Sequence, residues 1–66
     1  MNITINGEVN ILPGPLLLSE LLQHYGYPAS GIALAVNQNV IPRHSWADYL
    51  IQEGDHLDIF QVIAGG

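Results

Sequence analysis

The stretch Met1-Asn2-Ile3-Thr4-Ile5-Asn6-Gly7-Glu8-Val9-Asn10-Ile11 decides how the chain folds. Met1, Ile3 and Ile5 alternate with Asn2 and Thr4, the period of a strand with one buried face. Asn6-Gly7 follows. A type I′ turn needs positive φ at both central residues, and Asn-Gly meets that need better than other pairs. Val9 and Ile11 then alternate with Glu8 and Asn10. The chain opens as strand, tight turn, strand.

Downstream, Pro13-Gly14-Pro15 interrupts the chain. Leu18, Leu21, Leu22 and Tyr25 then recur at helical spacing, with Ser19, Glu20, Gln23 and His24 on the other side. Glu20 near the start and His24 near the end suit the helix dipole. Gly26 is placed to end the helix in the left-handed conformation, and Pro28 prevents its return. Leu16 stands where a Ser, Thr or Asp cap is expected.

Ile32, Leu34 and Val36 read as a third strand, with Ala33 and Ala35 on its opposite face small enough to lie near another backbone. Asn37-Gln38-Asn39 reads as a turn, and Val40-Ile41 as a short strand cut off by Pro42. Arg43 to Leu50 is irregular or one short helical turn, with Trp46, Tyr49 and Leu50 expected to cover an end of the core. Glu53-Gly54-Asp55 is a turn, and His56 to Ile63 is the last and longest strand. The order β-β-α-β-β-β with a single helix describes an α+β ubiquitin-like β-grasp, a mixed sheet of four or five strands with one crossing helix. Residues 1–63 form that domain, and residues 64–66 a flexible C-terminal Gly-Gly tail.

Composition narrows the function. The 66 residues are 48% hydrophobic and contain no cysteine, which excludes disulfides and thiolate metal sites. So short a chain buries only about 60% of the surface it exposes when unfolded, and must do so by apolar packing alone. Six acidic residues face Arg43 and no lysine, giving a formal net charge of −5. Nucleic-acid binding requires cations that displace counterions from phosphates, and anionic membranes make the same demand. Both are excluded, and a basic protein surface is the expected partner. No segment reaches the length of a membrane span, and Met1 to Ile5 lacks a positive leader region, so the cytoplasm is the expected location.

Catalytic patterns are missing. No serine lies in a G-x-S-x-G elbow, and His24, His44 and His56 lack the i, i+4 spacing of a helical zinc site. Asp55 and His56 are sequence neighbours that point to opposite sides of a strand, and read as a turn acid and a surface histidine. The chain is expected to bind no cofactor.

The C-terminus is different. After Ile63 the side chains shrink away in Ala64-Gly65-Gly66. A chain end without Cβ atoms can thread a narrow channel, and Gly65 and Gly66 take conformations closed to other residues. The Gly66 carboxylate is ionised at neutral pH and can attack the α-phosphate of ATP when an enzyme aligns the two. The product is an acyl-adenylate open to a sulfur or nitrogen nucleophile. Just before the tail, Leu57 and Ile59 share the phase that should face the helix. Asp58, Phe60 and Val62 share the outward phase and form a candidate docking patch.

The ending Phe60-Gln61-Val62-Ile63-Ala64-Gly65-Gly66, the run Ala33-Leu34-Ala35-Val36-Asn37-Gln38 with Pro42-Arg43 after it, and Glu53-Gly54-Asp55 resemble the thiamine-pathway sulfur-carrier family, ThiS. The resemblance implies that an E1-like adenylyltransferase of the ThiF type adenylates Gly66 with Mg-ATP. It implies that a persulfide donor converts the adenylate to a thiocarboxylate, and that a thiazole synthase of the ThiG type receives the sulfur. Gly65 and Gly66 match the family motif directly, and Phe60 and Val62 match a docking surface by position. The loop from Leu12 to Leu16, with two prolines and no polar cap, departs from the family pattern. Two other readings stay open here: the small subunit of molybdopterin synthase, and a β-grasp interaction module with an inert tail.

Overall fold

The computed structural model describes residues 1–28 and 30–62. Its elements are β1 (Asn2–Ile5), β2 (Glu8–Ile11), α1 (Leu18–His24), β3 (Ile32–Val36), β4 (Asn39–Val40), a 3₁₀ helix (Arg43–Asp48) and β5 (His56–Gln61). The strands form one five-stranded sheet in the order β2-β1-β5-β3-β4. Strand β5 runs parallel to β1 and antiparallel to β3, so the sheet is mixed and the β-grasp reading holds. Strand β5 ends at Gln61, one residue before the described Val62, while Ile63 and the tail at 64–66 lie outside the described residues.

Both hairpins close through two-residue turns. Asn6 and Gly7 take φ of 51° and 85°, the left-handed values expected of Asn-Gly. Asn37 and Gln38 take φ of 51° and 71° in the second turn, so Asn39 belongs to β4 and not to the turn. In each turn the leading asparagine does a second job through its side chain. Asn6 Oδ1 accepts from the Ile59 N–H at 2.8 Å, extending the β1–β5 edge by one residue. Asn37 Oδ1 accepts from the His56 N–H at 3.0 Å, while its Nδ2 donates to Asp55 at 3.0 Å.

Helix α1 starts at Leu18, with Leu17 as the cap in place of Leu16. Leucine has no acceptor, so other groups supply the missing contacts. The Leu18 N–H donates to the Tyr49 carbonyl at 2.7 Å. The Glu20 carboxylate reaches back to accept from the Leu17 N–H at 2.9 Å. The far end behaves as expected. Gly26 has a φ of 76°. The N–H groups of Gly26 and Tyr27 bond to the carbonyls of Gln23 and Leu22, the paired bonds of a Schellman motif.

The core lies between the helix and one face of the sheet. It contains Ile3, Ile5, Leu34, Val36 and Leu57 from the strands, Leu18, Leu21 and Leu22 from the helix, and Leu12, Trp46 and Ile51 from connections. Trp46 covers one end as expected, with its Nε1–H donated to the Ile41 carbonyl at 2.8 Å, and Tyr49 packs beside it. Leu50 does not. It points outward while Ile51 is fully buried, because Leu17 and Leu50 bridge as extended segments and neighbouring residues there face opposite ways. Asp55 also departs from expectation. Its carboxylate is buried and accepts from the Gln52 N–H at 2.9 Å as well as from Asn37.

Asp55→Ala removes two part-buried hydrogen bonds of about 0.5–1.5 kcal/mol each, and urea denaturation should record a loss of about 1–3 kcal/mol. Gln38→Gly has the opposite sign. It relieves a left-handed strain of about 1–2 kcal/mol against a glycine entropy cost of about 0.5–1 kcal/mol, so the same measurement should show a gain of roughly 0.5–1 kcal/mol.

Candidate functional site

The outer face of the sheet carries Asp58 and Phe60, two of the residues expected to dock a partner. In β5, Leu57 lies between Ile5 and Val36 in the register, and all three side chains enter the core. The alternation therefore turns His56, Asp58 and Phe60 to the other face. Phe60 is 55% exposed and Val62 54% exposed, so the expected pair stands at the surface.

Two features keep Phe60 uncovered. Its partner on β3 is Ala33, and Asp58 is opposite Ala35, so the adjacent strand offers side chains too short to cover a ring. On the other side β1 turns away at Asn6, leaving β5 beyond Ile59 with β3 alone as its neighbour. Trp46 packs on the inner side and does not fold over Phe60. Ala33 and Ala35 flank the outward residues of β5, and Ala35 is itself buried. Val40, 74% exposed and opposite Ala35, continues the apolar surface to the sheet edge. Asp58 places a carboxylate at the margin of this surface, which suits a partner with an apolar pocket and a cationic rim.

A polar band crosses the face next to the patch. His56 Nδ1 and Thr4 Oγ1 are 2.6 Å apart. Beyond the band, on β2, Val9 and Ile11 are 70% and 78% exposed. Alternation within β2 does not by itself place these two, although turn length does. A two-residue turn pairs Ile5 with Glu8 and Thr4 with Val9, so the apolar phases of β1 and β2 fall on opposite faces.

The structure does not gather catalytic groups. His24 packs edge-on to Tyr25 with ring centroids 5.0 Å apart, His44 lies on the 3₁₀ helix and His56 on β5. Among the described residues no three His, Cys, Asp or Glu side chains come together in a way that could hold a metal. No helix there is long and apolar enough to cross a membrane.

Gly65 and Gly66 lie outside the described residues. What the structure does define is the point from which they follow. Val62 donates its N–H to the Gly31 carbonyl at 2.8 Å, one step beyond the last register pair of β3 and β5, Ile32 with Gln61. Gly31 itself has a φ of 81°. Periodicity gave no signal for Gly31, which falls between Pro28 and the third strand.

Comparison with known proteins gives a consistent result. Residues 3–66 match the model of the ThiS family. The chain is 39% identical over 66 residues to the sulfur carrier protein ThiS of Escherichia coli strain K12, with all of both chains aligned. It is 30% identical over 66 residues to a thiazole synthase of Paramagnetospirillum magneticum, all of this chain aligning with 20% of that protein. The crystal structure of a thiamine biosynthesis protein, ThiS, from Geobacter metallireducens matches with a TM-score of 0.89 at 25% identity, over the whole of both chains.

Residues on opposite faces of β5 should respond very differently to the same change. Phe60→Asp should alter stability by less than about 1 kcal/mol, the range of exposed strand substitutions. Leu57→Asp places an unpaired carboxylate in the core and should abolish the cooperative thermal transition.

Proposed function

The chain belongs to the ThiS family, and from that premise we propose that the Gly66 carboxylate is the group on which sulfur is loaded and from which it is delivered. The protein is a sulfur carrier of thiamine biosynthesis. The similarity runs the full length of a sulfur carrier, and this single observation supports the reading most strongly. It also favours the thiamine pathway over molybdopterin synthesis, and a working tail over an inert one.

In the proposed cycle an adenylyltransferase of the ThiF type docks on Phe60 and Val62, with Asp58 at the rim, and takes Gly65 and Gly66 into its active site. The ionised carboxylate attacks the α-phosphorus of Mg-ATP. Pyrophosphate leaves, carrying the electron pair of the broken P–O bond. The acyl-adenylate is then attacked by the terminal sulfur of a persulfide donor, and AMP departs. A thiol then attacks the donor-side sulfur of the resulting acyl disulfide, forming a disulfide with the donor and releasing the thiocarboxylate on Gly66. A thiazole synthase of the ThiG type accepts that sulfur. The Paramagnetospirillum thiazole synthase supports this last pairing, since a segment similar to this chain makes up a fifth of it.

ATP and Mg²⁺ belong to the partner in this scheme, and the carrier acts as a co-substrate in the cytoplasm. The partner supplies the catalytic groups and the metal that neutralises phosphate charge. The carrier supplies a nucleophile and a surface that presents it. Binding energy from the Phe60 patch, remote from the reacting atoms, holds the carboxylate in place.

Removal of Gly66 should abolish adenylate formation with the cognate adenylyltransferase and Mg-ATP while the far-UV spectrum stays native, because the core of the described residues is built between Ile3 and Leu57. Adenylation of the truncated chain at the full-length rate would falsify the assignment. Phe60→Asp should weaken binding to that enzyme by about tenfold or more, roughly 1.4 kcal/mol, which calorimetric titration measures directly.

A further inference from the structure

We infer that the hydrogen bond from the Val62 N–H to the Gly31 carbonyl is a clamp that fixes where the chain leaves the sheet, making Gly31 a positioning residue for the Gly66 carboxylate. The inference rests on the preceding reading of Gly66 as the reacting group. Ile32 and Gln61 form the last register pair of the β3–β5 ladder. The Val62–Gly31 bond, at 2.8 Å, adds one more connection at the point where β5 has already lost β1 as a neighbour. Past Ile59 the strand is held along one edge alone, and this bond is its outermost described tie.

Gly31 is suited to this role by conformation and not by space. A Cβ built at Gly31 meets nothing within 4 Å, so no packing requirement selects glycine there. Its φ of 81° does, because this backbone geometry is one that L residues seldom adopt. In that conformation the carbonyl of Gly31 meets the Val62 N–H. An L side chain at this position would favour a different φ and turn the carbonyl away.

The consequence is a ruler. Four residues follow Val62, and a fully extended chain gains about 3.3–3.6 Å per residue, so the tail reaches at most about 14 Å beyond the clamp. The α-phosphate that Gly66 attacks must lie within that distance of the partner surface that receives Val62. With the clamp broken, β5 can peel from β3 residue by residue. Each step lengthens the tether and spreads the directions it samples, lowering the effective concentration of the carboxylate at the phosphate. Phe60 keeps its place opposite Ala33 until the peeling reaches it.

The test uses synthetic full-length chains. In one, an ester oxygen replaces the Val62 N–H, deleting the donor and keeping the valine side chain. In two others, position 31 carries L-alanine or D-alanine, the latter accepting positive φ. With the cognate adenylyltransferase and Mg-ATP, the ester chain is compared with the parent at saturating carrier, so that weaker docking through Val62 does not enter the rate. The ester chain's adenylation rate should fall about tenfold or more. The L-alanine chain should also slow, and the D-alanine chain should keep the parent rate. If the ester chain fails to fold, the alanine pair decides alone. Parent-like rates for the ester and L-alanine chains would overturn the clamp, as would equal slowing by the two alanine enantiomers. Failure of the parent chain to be adenylated would instead sink the assignment of Gly66.

Discussion

Strand β5 is hydrogen-bonded along both edges, and the rest of the molecule hangs on that fact. One edge pairs with β1 in parallel and the other with β3 in antiparallel, so each hairpin is attached to the sheet only through β5. The same strand places Leu57 at the centre of the core and Phe60 on the surface. Folding and docking therefore draw on alternate residues of one segment. The parallel pairing requires a crossover, and α1 supplies part of it while covering the inner face. A domain with no disulfide has few ways to hold its last strand so firmly. Double pairing is one.

The two asparagine-led turns reinforce this arrangement. Asn6 and Asn37 tolerate left-handed φ, which a two-residue turn requires, and both spend their side chains on β5. Glycine would satisfy the backbone at either position but would lose the link to Ile59 or to His56 and Asp55. The buried Asp55 carboxylate completes the second link, and no buried polar side-chain atom among the described residues lacks a partner. The turns thus set register and also fasten each hairpin to the central strand.

Much of this was legible in the residues. Asn6-Gly7, the alternation of Ile3 and Ile5, and the leucines of α1 define local geometry, and the structure agrees with each. The phase of β5 was legible as well, because Leu57 and Ile59 differ so plainly from Asp58 and Phe60. Leu50 and Ile51 were not, since choosing between two adjacent apolar residues depends on the distant pairing with Leu17. The leucine at the helix cap is similar: its missing acceptor is replaced by the Tyr49 carbonyl, which no local pattern reveals. Gly31 was overlooked because its role comes from a bond to a residue on another strand. The outward turn of Val9 and Ile11 could have been read from turn length alone.

On the proposed reading, the protein surface presents one carboxylate to other enzymes. Intact-mass analysis of the protein isolated from its own host under thiamine-limited growth examines that most directly. The account predicts a species in which one oxygen has been exchanged for sulfur, with the change located by fragmentation at Gly66. Finding only the unmodified chain, or sulfur at any other residue, would contradict it.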